Sequence, residues 1–252
     1  MQVGRNTVAP STPTVDEQRQ FWNWHWQHWR ERKTNNDWTE QRGELMLQII
    51  RSFRLNSPKL LDLGCGRGWY TEKLAELGEA TGIDLSPDAI AVAKERNPKI
   101  HYIAGNIYEA NLPKNHFDVV VSQEVIAHVE DQPRYVERAA EVTKPGGYFI
   151  VSTGNKFVMD RLGQIDWNVQ PPQHIARQLS RKDLRRLMNP YFDVQQEKTI
   201  IPIGHAGVLR IVNSPKLNAL LNLVVPRHHV DAAKERAGLG YQMIVVGQKR
   251  VS

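Results

Sequence analysis

Between residues 58 and 152 the chain alternates short apolar runs with longer stretches in which apolar residues recur every three or four positions. Runs of four to six apolar residues bounded by glycine, proline and polar residues fit strands buried on both faces, and the intervening stretches fit amphipathic helices. The pattern predicts strands at 59–63, 80–84, 100–104, 117–122 and 148–152, and helices at 69–77, 87–96 and 132–142. Regular alternation of this kind builds βα units and a parallel sheet. Beyond 153 the order loosens. "RLGQIDWNVQPPQH" has paired prolines and no period, which predicts a loop. A helix at 180–188 opens on Ser180 with Asp183 three residues later, an acidic variant of the capping box. "YFDVQQEKTIIPI" and "YQMIVVGQK" read as strands, and the stretch between them, about 204–238, is too long for a hairpin loop and reads as an insertion. Its apolar segment "LNALLNLVVP" could complete the core, cover the acceptor pocket, pair subunits or touch a lipid; core or lid packing is expected, because few basic residues flank it for a surface-bound amphipathic helix.

The N-terminal segment has a different texture. "FWNWHWQHWR" carries four tryptophans and a phenylalanine in residues 21–30. On a helix, Trp22, Trp26 and Trp29 fall at i, i+4 and i+7 with His25 beside them, and Phe21, Trp24 and His28 form a neighbouring stripe. Each ring removes roughly 150 to 250 Å² from water when buried, so a surface of this width serves as core, as a lid over a ligand or as a partner-binding patch. The chain divides into a disordered tail at 1–15, an N-terminal helical lid at 16–57 and a main domain at 58–252.

Candidate chemistry begins at "LLDLGCGRGWY", where Gly64, Gly66 and Gly68 lie between the first strand and the first helix of the main domain. Glycines there let a ligand approach backbone amides at a helix N-terminus. The dinucleotide fingerprint G-x-G-x-x-G fails, since its third glycine would fall on Trp69, and no Gly-Lys-Ser/Thr follows for a P-loop. Asp62, two residues before the first glycine, disfavours a pyrophosphate and suits a ligand with an amino group and a sulfonium. Asp84 ends the second strand, where a carboxylate accepts both hydroxyls of a ribose, and Leu85 beside it can pack on an adenine face. After the third strand, Asn106 offers an acceptor for an adenine amino group and the Ile107 amide reaches a ring nitrogen.

"LDLGCGRG", "GIDLSPDAIAVAKE", "FDVVVSQEVIAHVED" and "TKPGGYFIVST" stand in this order and with ordinary spacing, and together the chain resembles the class I S-adenosylmethionine-dependent methyltransferases over residues 58–153. The resemblance implies an α/β, Rossmann-like fold: a seven-stranded, mostly parallel sheet with an antiparallel last strand and helices on both faces. It implies S-adenosyl-L-methionine as cofactor, with Gly64 and Gly66 along its methionyl part, Asp84 on the ribose, Gln123 at the methionine end and Arg42 reaching the methionine carboxylate. Many relatives carry Asp where Asn106 stands, which alters the strength of adenine binding.

Methyl transfer from a sulfonium needs a positioned nucleophile, and a hydroxyl acceptor also needs a base. "SQEVIAHVED" puts Glu124 and His128 four residues apart after the fourth strand, so His128 is a candidate base and Glu124 an orienting residue; the bland alternative is a histidine that caps or packs the segment. His174 is a second catalytic candidate, and His205, with Trp22 and Trp26, a candidate acceptor contact. His25 and His28 are spaced as a metal pair, yet no ligand set is completed nearby, so no metal is expected.

Composition narrows the remaining classes. The single cysteine, Cys65, excludes an intramolecular disulfide and a cysteine-based zinc site and reads as a small buried filler. A net charge of +6 is spread along the chain, with its densest cluster at "SRKDLRR", and nucleic acid is not the expected partner. No apolar run approaches the ~18 residues of a membrane span, and "MQVGRNTVAPSTPTVDEQ" lacks a secretory centre, so a cytoplasmic monomer or homodimer without membrane insertion is expected. No Asn/Asp-Pro-Pro-Tyr tetrapeptide of amide and base N-methylators follows the fourth strand. The expected activity is therefore O-methylation of a small molecule. N-methylation of a small amine, tRNA or protein methylation and cofactor binding without turnover stand as the other readings.

Overall fold

Leu60, Leu61 and Leu63 of the first strand have no exposed surface, and that burial on both faces is why its sequence lacks the alternation of a half-exposed strand. The computed structural model describes residues 12–28, 37–162 and 175–251. Its seven strands are β1 Lys59–Leu63, β2 Glu79–Asp84, β3 His101–Ala104, β4 Phe117–Gln123, β5 Thr143–Gly154, β6 Phe192–Pro202 and β7 Gly240–Lys249. They form one sheet in the order β3-β2-β1-β4-β5-β7-β6. Neighbours from β3 to β5 are parallel, and β7 inserts antiparallel between β5 and β6.

The helices are α1 Val15–His28, α2 Asp37–Ser52, α3 Trp69–Ala75, α4 Pro87–Arg96, α5 Gln132–Val142, α6 Lys156–Met159, α7 Arg181–Met188, α8 Val208–Val212, α9 Pro215–Leu221 and α10 Arg227–Arg236. Successive strand residues serve opposite faces. Val120, Phe149, Val151 and Val245 pack with Tyr135 and Val136 of α5 and Leu184 and Met188 of α7. Val119, Val121, Ile150 and Ile244 pack with Met46 and Leu47 of α2 and Tyr70 and Leu74 of α3. The helix at α7 carries the expected capping box, with Ser180 Oγ accepting from the Asp183 amide at 3.2 Å and Asp183 Oδ2 accepting from the Ser180 amide at 3.2 Å.

Two expectations change. β5 begins five residues earlier than its apolar run, because Thr143 pairs with Phe117 ahead of an irregularity, and Pro145, Gly146 and Gly147 lie within the strand instead of ending it. The larger correction concerns "LNALLNLVVP". It forms α9 and the turn after it, but α9 buries no residue, and Leu220, Leu223 and Val224 are 64%, 80% and 86% exposed. The segment is neither core nor cavity wall.

The chain runs outward in opposite directions from β1 and β4, so the loops after these two strands diverge and leave a crevice at their carboxyl ends. One wall of that crevice is held by Asn155, which is 1% exposed. Its Nδ2 donates to the carbonyls of Gly238 and Gly240 at 3.0 and 2.9 Å, and its Oδ1 accepts from the Phe157 amide at 3.2 Å. The side chain thus ties the end of β5 to the start of β7. Asn155→Ala leaves two buried carbonyls without a donor and is expected to destabilise the fold by about 2 to 4 kcal/mol, read as a lower urea midpoint at unchanged slope.

Candidate active site

The crevice is a cavity of about 1160 Å³, larger than the few hundred to roughly 1,000 Å³ that one small ligand occupies. Arg42, Asp62, Gly64, Gly66, Asp84, Leu85, Asn106, Ile107, Gln123, His128, Trp22 and Trp26 all border it.

Its floor is the turn between β1 and α3. Gly64 and Gly66 have φ of 78° and 52°, the left-handed region in which a Cβ is strained. A Cβ on Gly64 would strike Val125, and one on Gly66 would lie 2.6 Å from the ring of Trp26, which therefore lies directly on the turn. Asp84 organises the turn: its Oδ2 accepts from the Gly66 amide at 2.8 Å and its Oδ1 from the Ser86 amide at 2.9 Å. Each oxygen keeps a second lone pair for a diol. Asp62 is 2% exposed and accepts from Thr71 Oγ1 at 2.7 Å; burial pushes its carboxyl up to about 7, against the Thr71 bond and with help from the Asp84 charge. Cys65 is buried and its thiol is held well above the usual range, chiefly by burial, so it supplies no thiolate.

At the far end, Arg42 is 6% exposed, with Nε donating to Gln123 Oε1 at 3.1 Å and Nη1 lying 3.9 Å from Glu124 Oε1. Gln123 Nε2, Glu124 Oε1 and Tyr70 Oη are buried without a hydrogen-bond partner in the structure. A donor, an acceptor and a hydroxyl left open beside a guanidinium fit the carboxylate and ammonium of an amino-acid group. Glu124 itself sits at φ 56°, held there by its amide donating to the Ser152 carbonyl at 3.0 Å. The donor set and the open acceptors thus suit S-adenosylmethionine from its ribose to its methionine end. At the adenine end Asn106 is engaged locally: its Oδ1 accepts from the Tyr108 amide at 3.1 Å and its Nδ2 donates to Glu109 at 3.3 Å. The Ile107 carbonyl accepts from Arg138 Nε at 3.2 Å, which holds that loop in place.

α1 roofs the cavity. Val15, Gln18, Trp22, His25 and Trp26 border it, whereas Trp24 is 45% exposed and packs on His28. The helix is pinned to α4 by Ser86 Oγ donating to Asn23 Oδ1 at 2.6 Å and Gln27 Nε2 donating to Asp88 at 2.7 Å. Trp29 lies outside the described residues.

His128 follows β4 and packs edge-on against Trp22, 5.4 Å between ring centres. Its Nδ1 lies 2.7 Å from the Ile175 carbonyl oxygen, which can only accept, so Nδ1 carries the proton. Burial lowers its pKa, against the Ile175 bond and the Glu124 charge, so the ring is neutral near pH 7 with its lone pair on Nε2. His25 beside it is pushed down to about 4, by burial first and then by His128 and Arg67.

One candidate lies apart from this cluster. His205, expected as an acceptor contact, is exposed and is not among the residues bordering the cavity; its amide donates to the Arg161 carbonyl at 3.0 Å. His174 lies outside the described residues. Gln178 and Tyr241 also border the cavity, reaching it from a loop and a strand far along the chain where no local pattern marks them. Gln18 had a readable signal, four residues before Trp22 on the same face of a helix.

Residues 61–151 match the profile of a family described as a methyltransferase domain. A probable S-adenosylmethionine-dependent methyltransferase from Mycolicibacterium smegmatis is 31% identical over 194 residues, 76% of this chain and 72% of that protein. The mitochondrial ubiquinone biosynthesis O-methyltransferase of Schizosaccharomyces pombe is 34% identical over 146 residues, 50% of this chain and 53% of that enzyme, so the match spans about half of its length. Among solved structures, the 1,6-didemethyltoxoflavin-N1-methyltransferase of Burkholderia thailandensis superposes with a TM-score of 0.63 at 16% identity, over 99% of this chain and 94% of that one, which shows a shared fold.

Asp62 makes the cavity pH-sensitive. With its carboxyl near 7, a cation beside it binds more tightly once the proton is lost. The affinity for S-adenosylmethionine is expected to rise by up to about tenfold per pH unit below 7 and to level off above it, with proton release on binding in calorimetry. Asp62→Asn should flatten this dependence. In the fold Asp62 keeps a proton that the unfolded chain releases near 3.8, so the group costs stability as pH rises from about 4 to 7, and the variant should lose that slope.

Proposed function

Since the chain belongs to the class I S-adenosylmethionine-dependent methyltransferases, we propose that it methylates an oxygen atom of a small-molecule acceptor, with His128 taking the acceptor's proton. The observation that carries this reading is the Nδ1 contact of His128 with the Ile175 carbonyl, which leaves a neutral imidazole with a basic Nε2 at the cavity wall. A hydroxyl is a poor nucleophile until its proton leaves, and a base positioned for it contributes about 10² to 10⁴ in rate. The O-methyltransferase named among the relatives supports oxygen as the acceptor atom.

The bound cofactor supplies an activated methyl group on a sulfonium. In this reading Asp84 and the Gly66 turn hold its ribose, with Leu85, Asn106 and Ile107 around the base. Arg42, Gln123 and Glu124 hold the methionine end. Trp22, Trp26 and His25 of α1 close the cavity over the acceptor and keep water from the transfer, so 16–57 acts as a lid on the main domain. Volume supports a small acceptor beside the cofactor, since the cavity exceeds what one ligand fills.

His128→Gln is expected to lower kcat by about 10² to 10⁴ on hydroxyl-bearing acceptors while leaving S-adenosylhomocysteine affinity within about twofold. In the unchanged chain kcat/KM should fall as pH drops below the usual imidazole range near 6.5, because burial lowers the His128 pKa and protonation removes the base. Full turnover in the variant would refute the role. For the lid, S-adenosylhomocysteine should quench tryptophan emission, and Trp26→Phe should remove most of that change; an unaltered spectrum would make α1 a static wall.

A further inference from the structure

α9 is oriented in reverse for a helix on a protein surface. Leu217, Leu220, Leu221 and Val224 fall at i, i+3, i+4 and i+7 on one stripe, with the last in the turn that continues the helix, and they are 37%, 64%, 40% and 86% exposed. The polar side points at the body of the protein. Asn218 Nδ2 donates to the carbonyls of Val212 and Ser214 at 3.1 and 2.9 Å, and its Oδ1 accepts from Lys234 Nζ of α10 at 2.9 Å. The Lys234 side chain is only 10% exposed, so a lysine lies beneath while leucines face outward. Val208 and Ile211 of α8, 49% and 66% exposed, and Leu223, 80% exposed, widen the apolar face.

The chain places few basic residues directly beside α9, but the fold brings Arg161 and Arg210 to the same face, and that charge identifies what the face suits. No aspartate or glutamate occurs between residues 199 and 230, whereas Arg210, Lys216 and Arg227 do. Arg161 adds a cation beside Gly207 at the start of α8, its guanidinium 4.0 Å over the ring of Phe157, which is itself 37% exposed. The carboxylates of the flanking helices are engaged elsewhere: Asp160 with Lys156, Asp231 with Arg227 and Lys234, and Glu235 with the Ile201 amide at 3.3 Å. Among the described residues no carboxylate forms a salt bridge with Arg161, Arg210 or Lys216 at the edge of the apolar face. Exposed leucines and valines bordered by unneutralised cations match an interface that is negative at its surface and apolar just below.

We propose that the face formed by α8, α9 and the turn after α9 docks on an anionic phospholipid bilayer, lying in the headgroup region without crossing it. Among the described residues no helix is long and apolar enough to span a membrane, which fits attachment at the surface. The surface is connected to the cavity through Leu209 of α8, which is fully buried against Val158 and Leu162, next to Met159 and Tyr241 on the cavity wall. The inference does not depend on the methyl-transfer reading.

The full chain is sedimented with vesicles of phosphatidylcholine alone and of phosphatidylcholine mixed with phosphatidylglycerol. It is expected to partition onto the mixed vesicles at least about tenfold better than onto the neutral ones, and to leave them as salt is raised. Leu220→Asp with Val224→Asp should abolish partitioning, and Arg210→Gln with Lys216→Gln should weaken it by roughly fivefold per charge. All four positions are exposed, and an unchanged thermal midpoint checks that the variants fold. Arg185→Gln with Arg186→Gln, in the basic cluster of α7, should leave partitioning unchanged. Absence of binding to mixed vesicles, indifference to the Leu220 and Val224 changes, or an equal loss from the α7 control overturns the proposal. So does light scattering that shows a dimer which the Leu220 and Val224 changes return to monomer, since the face would then pair two copies of the chain.

Discussion

The carboxylate of Asp84 is the point on which the cavity depends. One oxygen takes the Gly66 amide from the turn after β1 and the other takes the Ser86 amide from the turn after β2, so one side chain fixes the spacing of two loops on neighbouring strands. Ser86 then caps α4 through Oγ, accepting from the Ala89 amide at 3.1 Å, and the same hydroxyl donates to Asn23 of α1. The roof of the cavity, its floor and the edge where a ribose would lie are joined through three residues. Burial raises the Asp84 pKa, and the two amide bonds work against that rise.

The opposite end is built on the tension between burial and polarity. Arg42, Gln123, Glu124 and Tyr70 are more deeply placed than their polarity favours, and three of them leave atoms unpartnered. Glu124 adds backbone strain, since a glutamate at φ 56° is uncommon outside tight turns and persists where the surroundings enforce it. These costs are borne by the alternating apolar residues of β4, β5 and β7, which pack fully on both faces of the sheet. A rigid sheet holding an unsatisfied pocket is the arrangement expected of a ligand site, whose polar groups are completed by what it binds.

The periphery follows different rules. α8 to α10 pack through a single buried leucine and a polar seam, and the apolar stripe of α9 faces outward, so local sequence and tertiary placement disagree there. The disagreement separates the two functional ideas of the chain: the cavity is defined by burial, and the proposed docking face by its absence.

Much of the organisation follows from sequence alone. Strands β1 to β4 and helices α4 and α5 could be placed within a residue or two, because fully buried strands are continuous apolar runs and the helices carry Ser86 and Asp131 caps followed by proline. Gly64, Gly66, Asp62 and Asp84 are readable as one group since they occupy fixed places at the ends of adjacent strands, and they border one cavity. The tertiary structure alone decided the rest. Nothing local marks Gln178 or Tyr241 as bordering the same cavity as Glu124, because chain-distant residues meet only through the strand order. The proton on Nδ1 of His128 is set by the Ile175 carbonyl, 47 residues along the chain, which no local pattern shows. The leucines of α9 read as core because hydrophobicity is a property of sequence, whereas burial depends on which other elements come to lie against it.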